Sequence, residues 1–147
     1  MNIRKAELSD LRSLAELFDQ YRIFYKKESD LEGAQSFLKE RLERNESEIF
    51  VSFNDEGIMT GFTQLFPLFS STRMQRFWLL NNLYVNENYR RQGFSVGLIE
   101  RAKKLCRDSG ACGMMLETAK SNHEGNGLYP KTGFDLDIDH NYYEWNV

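Results

Sequence analysis

The spacing of apolar residues changes several times along this chain, and each change predicts an element. Leu11, Leu14, Ala15, Phe18 and Tyr21 recur at helical spacing behind Ser9, which predicts a helix capped at that serine. Asn2–Lys5 ahead of it reads as a short strand. Ser29-Asp30-Leu31-Glu32 has the form of a capping box, and Leu31, Ala34, Phe37, Leu38 and Leu42 mark the apolar face of a second helix. The period then drops to two. Segments 48–53, 58–66 and 76–85 alternate or are rich in β-branched and aromatic residues, and Asn54-Asp55-Glu56-Gly57 forms a turn, so three strands should make a meander. A helix over about 94–108 would turn Leu98, Ile99, Ala102 and Leu105 inward. Segment 114–118 reads as a strand, Ser121-x-x-Glu124 as another capping box, and a short helix should reach about Lys131. Phe134-Asp135-Leu136-Asp137-Ile138-Asp139 alternates strictly, which would place three carboxylates on one face of an extended segment, and 142–147 reads as a last strand. The order β-αα-βββ-α-β-α-ββ predicts a mixed α/β layer fold, with residues 1–147 as one domain.

Composition narrows the class of function. The chain has 147 residues, 41% hydrophobic and 28% charged, as in ordinary globular domains of this size. A formal net charge of −3 provides no basic field for nucleic acid. The aromatic share of 14% is high, so a core or cleft must hold many rings. Cys106 and Cys112 are the two cysteines, without metal-ligand spacing to either histidine, and read as free thiols in a reducing compartment. No metal is expected. The amino terminus has no signal-peptide pattern and no apolar run approaches membrane length, so the expected location is cytoplasmic.

The most specific chemistry lies where the β-prone run ends at Val85. Asn86-Glu87-Asn88-Tyr89-Arg90-Arg91-Gln92-Gly93 is a polar turn leading into a helix. The first N–H groups of a helix lack intrahelical partners and share the positive end of its dipole, which suits a phosphate or pyrophosphate. Arg90-x-x-Gly93-x-Ser95 resembles the Arg/Gln-x-x-Gly-x-Gly/Ala signature of the GCN5-related N-acetyltransferases, the GNAT superfamily. Leu116-Glu117-Thr118-Ala119, Asn122 and Leu128-Tyr129-Pro130-Lys131-Thr132-Gly133-Phe134 resemble a second block of that superfamily, in the same order and spacing. Together the two blocks cover roughly residues 76–134. Phe24-Tyr25-x-x-x-Ser29-Asp30-Leu31, Phe37-Leu38-x-x-Arg41-Leu42 and Gly61-Phe62-Thr63-Gln64-Leu65-Phe66-Pro67 look like a branch containing yeast histone and D-amino-acid acetyltransferases.

The resemblance implies a GNAT-like, mostly antiparallel central sheet flanked by helices. It also implies acetyl-CoA as co-substrate and acetyl transfer to a primary amine by direct attack in a ternary complex. The backbone from Arg90, Arg91, Gln92, Gly93 and Phe94 through Ser95 and Val96 would grip the pyrophosphate, with Ser95 in place of the usual Gly or Ala. Leu83, Tyr84 and Val85 would line the pantetheine and acetyl group where the fourth strand opens, with Leu83 or Val85 giving an N–H to the acetyl oxygen. Tyr129 matches a tyrosine that serves as general acid toward the departing thiolate, and Asn122 a residue that bonds the pantetheine arm. Glu117 is a candidate base on the strand beside the cleft. In the suspected branch an acidic residue is usual where this chain has Asn82, and an amide cannot take a proton.

Phe24, Tyr25, Phe66, Phe69 and Trp78 are candidate aromatic walls for the acceptor, and Glu28 and Asp30 are candidate partners of a distal cation. Asn82 on the acceptor side could at most hold a water. The acceptor class stays open among a polyamine, an amino acid and a lysine or α-amine of a peptide. Family analogy also points to a homodimer through Tyr142–Trp145. A CoA-binding sensor or interaction module without turnover is the alternative from another class.

Overall fold

Four strands in sequence order form the body of the sheet. In the computed structural model, which describes residues 1–147, these are β1 (Asn2–Lys5), β2 (Glu48–Phe53), β3 (Met59–Ser70) and β4 (Gln75–Val85), each antiparallel to its neighbour. β5 (Met114–Met115) joins β4 in parallel through Trp78 and Leu79. The strand order is β1-β2-β3-β4-β5, a mixed five-stranded sheet in the α/β class that the apolar periods predict. The chain divides into two compact units, 1–116 and 117–147.

In the first unit, side-chain alternation along β2 sorts the core into two layers. Ile49 and Val51 face helices α1 (Leu11–Phe24) and α2 (Leu31–Glu43), where Leu14, Ala15, Phe18, Ala34 and Leu38 bury themselves with Phe62. Phe50 faces the other way, toward helix α3 (Phe94–Asp108), and joins Leu65, Trp78, Leu80, Phe94, Leu98 and Ala102. Gly97 sits where α3 crosses β1. A Cβ there would lie 2.6 Å from the Ile3 side chain, so the contact has no room for one.

Helix starts differ from the predicted ones in an informative way. Ser9 falls within a 3-10 turn, Leu8–Asp10, fastened by Arg4, which donates to both Asp10 oxygens at 2.8 and 2.9 Å. The cap of α2 is Asp30, which accepts from the Gly33 N–H at 2.9 Å. Ser29 turns back instead and donates to Asp19 of α1 at 2.6 Å, while the Asp30 N–H donates to the other Asp19 oxygen at 2.7 Å. Two donors aimed at one carboxylate outcompete the capping box, since a charged acceptor makes the stronger bonds. They also hold the Asp19 carboxyl below the ordinary carboxylate range.

The second unit carries α4 (His123–Lys131), capped by Asn122 rather than Ser121, with Asn122 Oδ1 accepting from the Gly125 N–H at 3.2 Å. The strand expected over 114–118 stops at Met115, and the two strands expected over 134–139 and 142–147 do not form. Asp137 accounts for this locally. Its carboxylate accepts from the N–H groups of Asp139 and His140 and from the Tyr142 hydroxyl, and it pairs with the His140 ring at 2.9 Å. Those short-range bonds fold the backbone into a turn and compete with an extended ladder.

Candidate functional site

The end of β4 is where the local structure departs most from regularity. Gln64 pairs with Asn82 but Leu65 pairs with Leu80, so Asn81 is an extra residue that bulges from the strand. The sequence carries a trace of it, because Leu80 and Leu83 are both apolar although three positions apart.

The bulge changes which way the backbone points. Before it, the Trp78 N–H donates to Gly113 O at 3.0 Å, on the β5 side. After it, the Asn86 N–H donates to Thr60 O at 2.9 Å, on the β3 side. Alternation back from Asn86 therefore directs the N–H groups of Val85 and Leu83 to the edge away from β3. The β4–β5 pairing ends at Leu79, so β5 does not occupy that edge at these residues. The Val85 carbonyl takes a bond there from Arg90 Nε at 3.1 Å.

The turn into α3 is built from two left-handed residues. Arg91 has φ +62° and Gly93 φ +87°, and Gly93 is the residue before the first helical turn. A glycine adopts that conformation without cost; an arginine does so only when its surroundings impose it. Phe94 is buried and anchors the helix start in the α3-side core, while Ser95 is half-buried and Val96 exposed. Gln92 is exposed and donates to the Asn88 carbonyl at 3.5 Å. The groups on offer here, the Leu83 and Val85 N–H groups and the first turn of α3, are donors. They fit a ligand carrying a carbonyl and phosphates.

Arg90 does not stand out toward solvent at the lip of this loop. Its guanidinium lies against the rings of Tyr84 and Phe24, 5.7 and 5.9 Å from their centroids. Burial raises the Tyr84 phenol above its ordinary range, and the nearby Arg90 charge partly offsets it. Tyr84, Tyr21, Tyr25 and Phe24 form a continuous set of ring contacts, from 5.0 to 6.4 Å between centroids. Tyr21 belongs to this set, which sequence reasoning missed because its helical spacing marks it as core.

Trp78 does not join that set. It is 4% exposed on the α3 face, where its indole N–H donates to Ser109 Oγ at 3.0 Å, so it cannot wall a pocket with Phe24 and Tyr25 at the end of α1. Phe66, opposite Leu79, is half-buried. Glu28 is exposed, and its backbone carbonyl accepts from Arg22 at 3.0 Å. Asn82 is buried on the α1 side and accepts a bond from Gln64 Nε2 at 2.7 Å.

In the second unit, Glu117 lies beyond the end of β5 and is exposed. Asn122 Nδ2 donates to Thr118 Oγ1 at 2.9 Å. Tyr129 is half-buried and meets Phe134 edge-on, with centroids 5.7 Å apart. Cys106 is buried and Cys112 half-buried, both as free thiols; burial pushes the Cys106 thiol up, away from the reactive thiolate.

Residues 11–134 match the model of the acetyltransferase (GNAT) family. The chain belongs to that family. It is an acetyltransferase, and the family uses acetyl-CoA to acetylate amine acceptors. A relative at 42% identity, over all of this chain and 98% of its own length, is the uncharacterized N-acetyltransferase YhfO of Bacillus subtilis (strain 168). A crystal structure of a probable acetyltransferase superposes with a TM-score of 0.94 at 38% identity, covering 100% of this chain and 98% of that one. A predicted acetyltransferase from Clostridium acetobutylicum, solved with acetyl-CoA, shares the fold at a TM-score of 0.79 and 18% identity, over 99% of this chain and 95% of its own. No helix is long and apolar enough to cross a membrane.

Proposed function

We propose that residues 1–147 act as one cytoplasmic N-acetyltransferase domain, moving an acetyl group from acetyl-CoA to a primary amine by direct attack in a ternary complex. The observation that carries this reading is the bulge at Asn81, which turns the Leu83 and Val85 N–H groups onto the edge that β5 leaves after Leu79. Acetyl-CoA supplies an activated thioester. The Leu83 or Val85 N–H donates to the acetyl oxygen as negative charge gathers on it, an interaction worth about 3 kcal/mol where measured in other enzymes. Backbone N–H groups from Arg91 to Val96 hold the pyrophosphate, with Gly93 permitting the turn and the Ser95 hydroxyl small enough to fit. Asn122 bonds the pantetheine arm.

The acceptor nitrogen attacks the thioester carbonyl carbon as a neutral amine, and the carbon–nitrogen bond forms as the carbon–sulfur bond breaks. The nitrogen's surplus proton leaves to solvent, from which Tyr129 is reprotonated. Tyr129 gives its phenolic proton to the departing thiolate, a role that rests on its place in the Asn122…Tyr129…Gly133-Phe134 pattern. Glu117, exposed to solvent, takes up the proton that the acceptor ammonium sheds. The test is release of free CoA thiol from acetyl-CoA over a panel of polyamines, amino acids, aminoglycosides and lysine-rich peptides. Acceptor-dependent release supports transfer to an amine; release at the acceptor-free rate throughout overturns it.

We also propose that two copies associate through the carboxy-terminal segment. Tyr142, Tyr143 and Trp145 are 66%, 90% and 84% exposed, and exposed apolar surface gathered in one segment marks an interaction site. Light scattering on the full chain and on Trp145→Ser should give a dimer and a weaker dimer; a monomer at all concentrations overturns the association.

A further inference from the structure

A chain of buried amide and hydroxyl groups runs along the α1 side of β4. Ser47 Oγ donates to Gln64 Oε1 at 2.8 Å, and Gln64 Nε2 donates to Asn82 Oδ1 at 2.7 Å. Ser47, Gln64 and Asn82 are 7%, 1% and 4% exposed. Three polar side chains are costly to bury unless bonded to one another, and once bonded they fix each other's orientation. Each bond in this chain has a direction. Because the Asn82 oxygen is taken by Gln64, its Nδ2 is the group left at the end. That nitrogen is not sealed in the core, since Arg41 Nε is the buried side-chain polar atom left without a partner.

A second feature has the same sign. Tyr84 lies two residues beyond Asn82, on the same face of β4, and the Arg90 guanidinium already stands over its ring. A ring face held by one cation does not welcome another. Asn82 Nδ2 and the Arg90 guanidinium therefore bring a donor and a positive charge to this stretch, with the Glu87 carboxylate close enough to act on Tyr84 with the opposite sign.

We propose that Gln64 is a positioning residue that fixes the amide of Asn82 with its N–H groups outward, making Asn82 a specificity determinant. The acceptors this selects are amines bearing an oxygen close to the nitrogen, such as amino acids, amino alcohols or peptide amides, over bare polyamines. The inference rests on the amine-transfer reading and deepens it.

The test compares kcat/KM for glycine, serine and ethanolamine with kcat/KM for ethylenediamine, 1,4-diaminobutane and spermidine, in the native chain, Asn82→Asp and Gln64→Met. The native chain should favour the oxygen-bearing set. In Asn82→Asp one carboxylate oxygen still accepts from Gln64 while the other replaces the outward N–H. The ratio of the two sets should then swing about tenfold or more toward the polyamines, because a hydrogen-bonding site discriminates strongly against a ligand of the wrong polarity. Gln64→Met keeps the volume but frees the Asn82 amide, and should flatten the ratio toward one. A merely structural role would lower both rates together and leave the ratio unmoved. Turnover with a native preference for polyamines, or a ratio unchanged by Asn82→Asp, overturns the inference while leaving amine transfer standing. No turnover with either set overturns this inference, and amine transfer falls with it only if the aminoglycosides and lysine-rich peptides also release no CoA.

Discussion

Gly93 is the residue at which backbone geometry bears most directly on chemistry. At φ +87° an alanine is strained by about 1–2 kcal/mol, although its Cβ would meet only the Met1 side chain at 3.6 Å. Gly93→Ala should therefore lower stability modestly and weaken acetyl-CoA binding at least about tenfold, as calorimetric titration would show. Unchanged affinity would remove this turn from the cofactor site. Tyr129 gives the second prediction at this scale. Tyr129→Phe keeps the ring contact with Phe134 and loses only the hydroxyl, so kcat should fall more than about tenfold, within the usual range for a lost general acid. Acetyl-CoA affinity should hold. Arg91 was legible as a charge but not as a left-handed residue, because nothing in an arginine's own preferences calls for φ +62°.

Among the elements, α1 and α2 depend on the Asp19 clasp. Ser29 and the Asp30 N–H both bond to its carboxylate, which is buried at 8% exposure. Its folded pKa lies below the unfolded value of about 3.9. The clasp therefore contributes fully above that value, and its contribution is lost as pH falls through the folded pKa. Asp19→Asn should cost about 1–3 kcal/mol near neutrality, as for other hydrogen bonds to buried charged groups. Urea midpoints measured at pH 7, 5 and 3 should show the native chain and the variant converging only at the acid end. A constant gap would mean that the carboxylate charge is not what holds the two helices. The same clasp explains why the predicted capping box at Ser29 did not form: its serine is drawn to a residue ten positions back, which local pattern cannot register.

For the whole molecule, binding of acetyl-CoA to the folded chain must stabilise it by mass action. At a hundred times the dissociation constant the gain is about 2.7 kcal/mol. For a chain of 147 residues this should raise Tm by several degrees in a thermal-shift measurement. Gly93→Ala should show a smaller rise at the same concentration. A native chain that does not respond would contradict cofactor binding, independently of any acceptor.

The order of helices and strands through Met115, and the donor-rich turn at Arg90–Gly93, follow from the sequence alone, because they rest on local period, capping chemistry and glycine. Two separated blocks of residues likewise place the chain among the GNAT acetyltransferases without any coordinates. The tertiary structure decided what local pattern cannot hold. It put Trp78 in the α3-side core by giving its indole Ser109 as a partner. It turned Arg90 inward onto Tyr84 and Phe24, and it linked Ser47, Gln64 and Asn82 across three segments. It also broke the alternating tail into a turn around Asp137. In the first three cases the deciding partners lie between 17 and 66 residues away in sequence, apart from Tyr84, which is six residues from Arg90. A bulge of one residue at Asn81 then reversed the facing of every position after it, and that register exists only between paired strands.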